Sequence, residues 1–269
     1  MYKAIPLLLL SAVLISVFMT GCDKAVGEEP TTDTNEKIIE TIEKSKPVTQ
    51  GNLITKTNTD DEGKVSVEYY DSFGNLVESY LWNDNEVLSH SIITYTPDNN
   101  IQKKEEIDAD GLSSSVESFK YDNEGNLQSK TFNEFSEGRL IKSTNYDSAG
   151  NVAGYSVSEY NDDGLLVRIN RYDSNDILLD YYTYDYNDKA QAVRYSAYNS
   201  DNKLLRYTLF EFNEKGLIQT EKYYDGNDNL ENYYSFTYDE NGNMIMSSSY
   251  DADGNLISED IMDISQNHD

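Results

Sequence analysis

A short motif recurs through most of the chain: an aromatic residue, Asp or Asn, two variable residues, Gly, a polar residue and an aliphatic residue. Complete copies begin at Tyr70, Tyr121, Tyr146, Tyr238 and Tyr250, and degenerate copies begin at Tyr160, Tyr172, Tyr186, Tyr198, Phe212 and Tyr224. From Tyr146 to Tyr250, successive copies start 14 and 12 residues apart in strict alternation. The repeating unit therefore contains two motifs in 26 residues, a period typical of repeat architectures.

The motif has the composition of a tight turn, because Asp or Asn opens an Asx-turn and Gly accepts the positive φ that other residues resist. The runs between motifs, such as Leu178–Tyr186, Leu204–Phe212 and Leu217–Tyr224, are rich in Tyr, Leu and Thr and favour strands. The sequence therefore predicts an all-β fold: an antiparallel β-meander repeat of about fifteen strands, with two strands in each 26-residue unit.

The repeat period also predicts which side chains share a column of the sheet. Tyr155, Tyr181, Tyr207 and Tyr233 are spaced by 26 residues, whereas Tyr182 and Tyr234 belong to another column. Adjacent residues of a strand point to opposite faces, so aromatic columns are expected on both faces. We therefore predict a curved or superhelical sheet. Exposed tyrosines can anchor a sugar or a protein, which makes these six residues candidate binding residues; the alternative is that they form the core.

The first residues predict export and lipid attachment. Lys3 precedes an apolar run from Ile5 to Met19, which is typical of a secretory signal sequence. Met19-Thr-Gly-Cys22 resembles the bacterial lipobox, which implies cleavage after residue 21 and acylation of Cys22. The alternative is an ordinary signal peptide with an incidental cysteine. Since Cys22 is the only cysteine, an exported chain gains no disulfide from it, which favours lipidation. The predicted location is the extracytoplasmic side of a bacterial cell envelope.

The predicted domain organisation follows from composition. Residues 1–21 form the signal peptide, residues 22–52 comprise the lipidated cysteine and a flexible acidic tether, and residues 53–269 form the repeat domain. The net charge of −28 disfavours nucleic acid as a partner, because phosphate binding depends on Lys and Arg. It also disfavours docking of the body on anionic lipid, so attachment to the bilayer is expected through Cys22 alone.

Catalytic and metal-binding patterns are weak. The two histidines are His90 and His268, and no metalloprotease, nucleophile-elbow or phosphate-loop motif is present. We therefore expect no catalytic residues, no enzymatic activity, no cofactor and a structural role for His90. The turns at Asp108 and Asp251 begin like calcium loops but lack the Glu that closes an EF-hand. Turn chemistry explains them without a metal, and calcium bridging of stacked turns is the alternative.

The Tyr-Asp-x-x-Gly-Asn-Leu units from about Tyr69 to Ile257 resemble the YD repeats of RHS-type proteins and, more loosely, the MORN-variant repeats of some bacterial antitoxin-like lipoproteins. The resemblance implies a curved β-repeat surface in contact with carbohydrate or with a partner protein. This chain is too short to close an RHS-type shell. The resulting hypothesis is an envelope lipoprotein that binds a polysaccharide or a protein. An immunity protein that masks a toxin and a structural spacer are the alternatives.

Overall fold

The computed structural model describes Ser45, residues 47–84 and residues 86–262. The predicted signal peptide, Cys22 and His268 lie outside these residues. The described part of the chain contains seventeen strands and no helix, which confirms the all-β meander and adds two strands to the expected number. The strands are β1 Ile54–Thr59, β2 Val65–Tyr70, β3 Leu76–Asn83, β4 Glu86–Tyr95, β5 Ile101–Ile107, β6 Ser113–Tyr121, β7 Leu127–Ser136, β8 Arg139–Tyr146, β9 Val152–Tyr160, β10 Leu166–Asp173, β11 Leu178–Tyr186, β12 Ala192–Asn199, β13 Leu204–Phe212, β14 Ile218–Asp225, β15 Leu230–Tyr238, β16 Met244–Asp251 and β17 Leu256–Ile261.

The chain divides into two compact units, the first ending at Ser118 and the second beginning at Phe119. In the first unit, β1 to β6 pair antiparallel in chain order. On one side of β2 and β3, the side chains of Val65, Val67, Tyr69, Tyr80 and Trp82 form a buried core together with Val77, which lies where the register shifts. Leu53, Val87 and Tyr95 pack against it. This cluster is a hydrophobic core of the first unit.

The second unit shows the 26-residue period directly. From β9 to β16, strands of nine and eight residues alternate, and each pairs antiparallel with the next. The ladder shifts register next to the aromatic residue of the motif, for example between Asp185 and Tyr186 and between Ala197 and Tyr198. A bulge at this point lets the motif aromatic end one strand while its Asp or Asn opens the turn. The predicted two-strand unit is confirmed.

The turns have the geometry that the motif predicts. In the turn at Asp71, the Oδ1 atom accepts hydrogen bonds from the amides of Phe73 and Asn75, each at 2.9 Å. Gly74 has a φ of 86° and donates its amide to the Asp71 carbonyl. The same bonds recur at Asp122, Asp147, Asp239 and Asp251. Each Asp therefore satisfies donors that a bare turn would leave to water.

The end of the segment predicted as a flexible tether contacts the first unit. Ser45 is fully buried, and its carbonyl accepts a hydrogen bond of 2.6 Å from the Tyr69 hydroxyl. The amides of Val48 and Thr49 donate to the carboxylate of Glu78 on β3. Val48 and Thr49 thus lie against the sheet, because Glu78 accepts hydrogen bonds from both of their amides.

Candidate binding surface

Tyrosines stack in pairs across neighbouring strands of the second unit. Each of four tyrosines lies directly opposite the motif tyrosine of the next strand. The pairs are Tyr155 with Tyr172, Tyr181 with Tyr198, Tyr207 with Tyr224, and Tyr233 with Tyr250. The ring centroids of the four pairs are 4.9, 4.8, 4.7 and 4.6 Å apart, and the rings are nearly parallel. We call these eight residues the tyrosine column. Cross-strand aromatic pairs of this kind stabilise a sheet.

Arginine side chains cover the remaining ring surface of two tyrosines in the column. The guanidinium of Arg168 lies 3.7 Å from the centroid of Tyr181, and that of Arg194 lies 4.0 Å from Tyr207. Both tyrosines are buried. The hydroxyl of Tyr181 donates to the side chain of Asn202 at 3.0 Å. Both ring surfaces and the hydroxyl of Tyr181 are therefore used inside the fold.

The other candidates of this column have similar contacts. Lys142 lies 4.9 Å from the ring of Tyr155, whose hydroxyl donates to Asp176 at 2.8 Å. Tyr233 stacks on Tyr250. Tyr155, Tyr181, Tyr207 and Tyr233 thus lie together, as the period predicts, but their geometry is that of a framework. Tyr181 and Tyr207 are buried, whereas Tyr155 and Tyr233 are half-buried.

The opposite side of the second unit carries a second set of tyrosines, Tyr182, Tyr184, Tyr195, Tyr223 and Tyr234, which we call the aromatic face. Directly opposed residues of paired strands share a face, which links Tyr184 to Tyr195, Tyr195 through Thr208 to Tyr223, and Glu221 to Tyr234. Tyr182 stacks on Tyr195 at 5.5 Å, and Tyr223 meets Tyr234 edge-on at 5.8 Å. Tyr234 is exposed, and the other four are half-buried.

Small buried side chains separate these rings. Ala197 and Thr208 are the neighbours of Tyr182 and Tyr195 on this face, and Ser249 lies opposite Tyr234. These small residues are themselves buried, and the rings beside them range from half-buried to exposed. The two sides therefore differ at particular residues: Tyr181 and Tyr207 are buried on one side, and Tyr234 is exposed on the other.

Polar groups border the aromatic face. Arg171 makes a two-point ion pair with Asp180, at 2.7 and 2.6 Å, and lies over the ring of Tyr182. A depression of about 400 Å³ opens between this pair, Tyr182 and the exposed Arg206. Burial, together with the nearby tyrosines Tyr182 and Tyr184, raises the pKa of Tyr195 to about 12. The Tyr195 hydroxyl is therefore a neutral donor at physiological pH.

Tyr223 and Glu221 form a polar pair within the aromatic face. The Tyr223 hydroxyl donates to Glu221 at 2.9 Å. Burial, and then this hydrogen bond, raises the pKa of Tyr223 to about 12. The face thus combines ring surfaces with carboxylate, guanidinium and hydroxyl groups.

The first unit contains a different polar cluster, centred on Glu78. This side chain is fully buried in the core, where it accepts hydrogen bonds from the Tyr80 hydroxyl and faces the His90 ring at 2.8 Å. The Tyr80 and His90 rings stack at 4.0 Å. Burial opposes ionisation of Glu78, but the amides of Thr49 and Val48 outweigh it and lower the pKa of the carboxyl. His90 thus lies in a buried hydrogen-bonded cluster.

Sequence reasoning found part of this arrangement. It identified Tyr182 and Tyr234 of the aromatic face and missed Tyr195 and Tyr223 as candidate binding residues. Those two occupy the shorter strands, and only the cross-strand register brings them beside Tyr182 and Tyr234. Nothing in the sequence marks Glu78 as buried, because it is one of 49 acidic residues in the chain.

Neither a metal-ligand cluster nor a membrane-spanning helix occurs among the described residues. Among them, no group of three or more His, Cys, Asp or Glu side chains is placed to hold a metal ion. In the same part of the chain, no helix has the length and apolarity needed to cross a membrane.

No protein-family model matches the chain, and no curated protein does. Several solved structures are similar over much of its length. The TcdB2-TccC3-TEV crystal structure matches 82% of this chain at 11% identity and a TM-score of 0.31, and the chain spans 17% of that protein. A porin-like protein from Bacteroides uniformis ATCC 8492 matches 77% at 12% identity and a TM-score of 0.37, over 96% of its own length. A protein of unknown function from Bacteroides fragilis NCTC 9343 matches 54% at 16% identity and a TM-score of 0.23, over 99% of its length. At these scores the similarities identify no family.

Proposed function

We propose that this protein is an exported, lipid-anchored, non-enzymatic β-repeat protein that binds polysaccharide at the bacterial cell envelope through its aromatic face. One observation carries the binding part of the proposal: the tyrosines of the two sides of the second unit have different surroundings. Tyr181 and Tyr207 of the tyrosine column are buried beneath the guanidinium groups of Arg168 and Arg194, whereas Tyr234 of the aromatic face is exposed. The YD-like motifs support the same reading, because the resemblance implies carbohydrate contact.

The chemistry of the aromatic face suits a sugar chain. The apolar side of a pyranose ring stacks on an aromatic ring, and its hydroxyls need donors and acceptors nearby. Here Asp180 and Glu221 offer acceptors, Arg171 and Arg206 offer donors, and the depression beside Tyr182 gives a sugar unit room. Because the chain carries a net charge of −28, neutral polysaccharides are favoured over acidic ones.

Binding is tested with the Tyr234→Ala and Tyr182→Ala variants on an array of neutral bacterial and plant glycans. Each change removes a ring from the aromatic face, so we expect at least a tenfold loss of affinity for each and a larger loss for the double variant. Phe73→Ala is the matched control, since Phe73 is an aromatic residue that is 85% exposed in a turn of the first unit. Unchanged glycan binding in the folded double variant would exclude the aromatic face, and capture of a protein instead of any glycan would favour the alternative partner class.

Anchoring is tested separately at Cys22. If the lipobox-like residues direct acylation, Cys22→Ser should release the protein from the membrane fraction and remove the mass of the lipid. The body has no other cysteine to acylate, so the readout is unambiguous. Unaltered fractionation and mass would show that the protein is not a lipoprotein, and would leave the binding proposal standing.

A further inference from the structure

A short segment before β1 is bound to the first unit like a ligand in a site. Ser45, Pro47, Val48 and Thr49 form this segment, which we call the strap. The Trp82 indole donates to the Ser45 hydroxyl at 2.6 Å, and the Tyr69 hydroxyl donates to the Ser45 carbonyl at 2.6 Å. At the other end of the strap, the two carboxylate oxygens of Glu78 accept the amides of Val48, at 3.1 Å, and Thr49, at 2.9 Å.

Glu78 is fully buried, which is unusual for a carboxylate in a hydrophobic core. Burial of a carboxylate is destabilising unless hydrogen bonds replace its hydration. An aliphatic residue would fill the same place among Val77, Tyr80 and Trp82 without that cost. Two of the donors that compensate Glu78 are the strap amides, so loss of the strap would leave the carboxylate poorly satisfied. Glu78 therefore serves recognition of the strap more than cohesion of the sheet.

The strap is bound through its backbone and through the small side chain of Ser45. The Val48 side chain is 68% exposed and points away, whereas the Val48 and Thr49 amides point to Glu78. Ser45 is fully buried, so this position admits a small hydroxyl residue. A carboxylate that holds two successive amides, with a polar pocket for a serine three residues earlier, is the chemistry of a peptide-binding site.

We infer that Glu78, Tyr69 and Trp82 form a peptide-recognition site of the first unit, which accepts a segment with a small hydroxyl residue three positions before two successive free amides and is filled here by the chain's own strap. The site is distinct from the aromatic face, which belongs to the second unit. It binds main-chain groups and not sugars. An equivalent segment supplied by another molecule competes for the same atoms once the strap is displaced.

Trp82 makes the inference directly measurable, because it is the only tryptophan in the chain and touches the strap. In the full-length protein, Val48→Pro combined with Thr49→Pro removes both amide donors and leaves the site intact. We expect the fluorescence of Trp82 to shift to longer wavelength as the indole meets water. A free peptide of residues 43–50 should then restore the original emission saturably.

The controls separate recognition from a general disturbance. Gln50→Pro places a proline at an exposed position beside the strap and should leave the emission of Trp82 unchanged. The free peptide with prolines at positions 48 and 49 should not restore emission. No restoration by the wild-type peptide, in a folded double-proline variant with exposed Trp82, would overturn the inference. Unaltered emission in that variant would do the same.

Amide hydrogen exchange in the unmodified protein tests the inference without relying on a variant that has to fold. The amides of Val48 and Thr49 should exchange with deuterium far more slowly than free peptide amides, because both are bonded to Glu78. Exchange of these two amides at the rate of an unstructured peptide would show that the strap does not occupy the site.

Discussion

Single residues explain where the repeat departs from its own motif. Ala190 and Asn202 occupy the glycine position of two turns, with φ values of 60° and 62°. Left-handed backbone strains an alanine, whereas asparagine tolerates it. Asn202 also accepts a hydrogen bond from Tyr181 of the tyrosine column, and Asp176 accepts one from Tyr155. Some turns therefore give up glycine because the side chain there fixes a tyrosine hydroxyl.

This distinction predicts opposite signs for two similar substitutions. Ala190→Gly relieves backbone strain and should raise the free energy of unfolding by about 0.5 kcal/mol, after the greater entropy of glycine in the unfolded chain is subtracted. Asn202→Gly removes the acceptor of the Tyr181 hydroxyl and should lower the free energy of unfolding by about 1 kcal/mol. Urea denaturation of both variants measures the difference. Equal effects would contradict the structural role of the Asn202 side chain.

At the scale of the strand, the two sides of the sheet differ in the burial of particular tyrosines. Tyr181 lies between Arg168 and Tyr198 and is 7% exposed, whereas Tyr234, on the other side, is 38% exposed. The buried ring of Tyr181 is therefore expected to contribute more to the stability of the fold than the exposed ring of Tyr234.

Alanine substitutions test this asymmetry. Tyr181→Ala removes a buried ring and leaves a cavity, so the free energy of unfolding should fall by about 3 kcal/mol or more. Tyr234→Ala removes an exposed ring and should cost about 1 kcal/mol or less. Chemical denaturation of the two variants gives both values. A loss at Tyr234 as large as that at Tyr181 would mean that the aromatic face is also core.

Much of this element-level picture was predictable from the sequence. The spacing of Tyr146 to Tyr250 predicted the strands, and the glycine of each motif predicted the positive φ. Which side is enclosed was not predictable, since Tyr181 and Tyr182 are adjacent and chemically identical. Each ring has an arginine and a tyrosine of the flanking strands beside it, but Arg168 and Tyr198 lie closer to Tyr181 than Arg171 and Tyr195 lie to Tyr182. These distances depend on register and bulges. The Glu78 site was invisible for the same reason: its members are distant in the chain.

At the scale of the whole molecule, ionisable groups of the turns and of the strands limit the pH range of stability. Hydrogen bonds from Asn229 and other neighbours in the turn lower the pKa of Asp225 from 3.8 to about 2. The pKa of Asp71, Asp147 and Asp239 is lowered in the same way. At the other extreme, burial and Glu68 raise the pKa of Tyr70 from 10.0 to about 12.

The expected pH profile has a plateau with a decline on each side. A lowered carboxyl pKa contributes stability above 3.8, which is lost as pH falls towards 2. A raised tyrosine pKa contributes stability below 10.0, which is lost as pH rises towards 12. Thermal melts across this range, in salt that screens the net charge of −28, measure the profile. In Asp225→Asn the decline at acid pH should be smaller. An identical acid decline would exclude Asp225 as a contributor.

The alternation of nine- and eight-residue strands has a consequence for the gene. Each 26-residue unit returns the chain to the same direction and the same height on the sheet, so a duplication or loss of one whole unit joins matching ends. Loss of a single motif would reverse the strand direction and place the wrong side chains against the next strand. An insertion or deletion in the gene is therefore compatible with this sheet when it covers a whole number of 26-residue units.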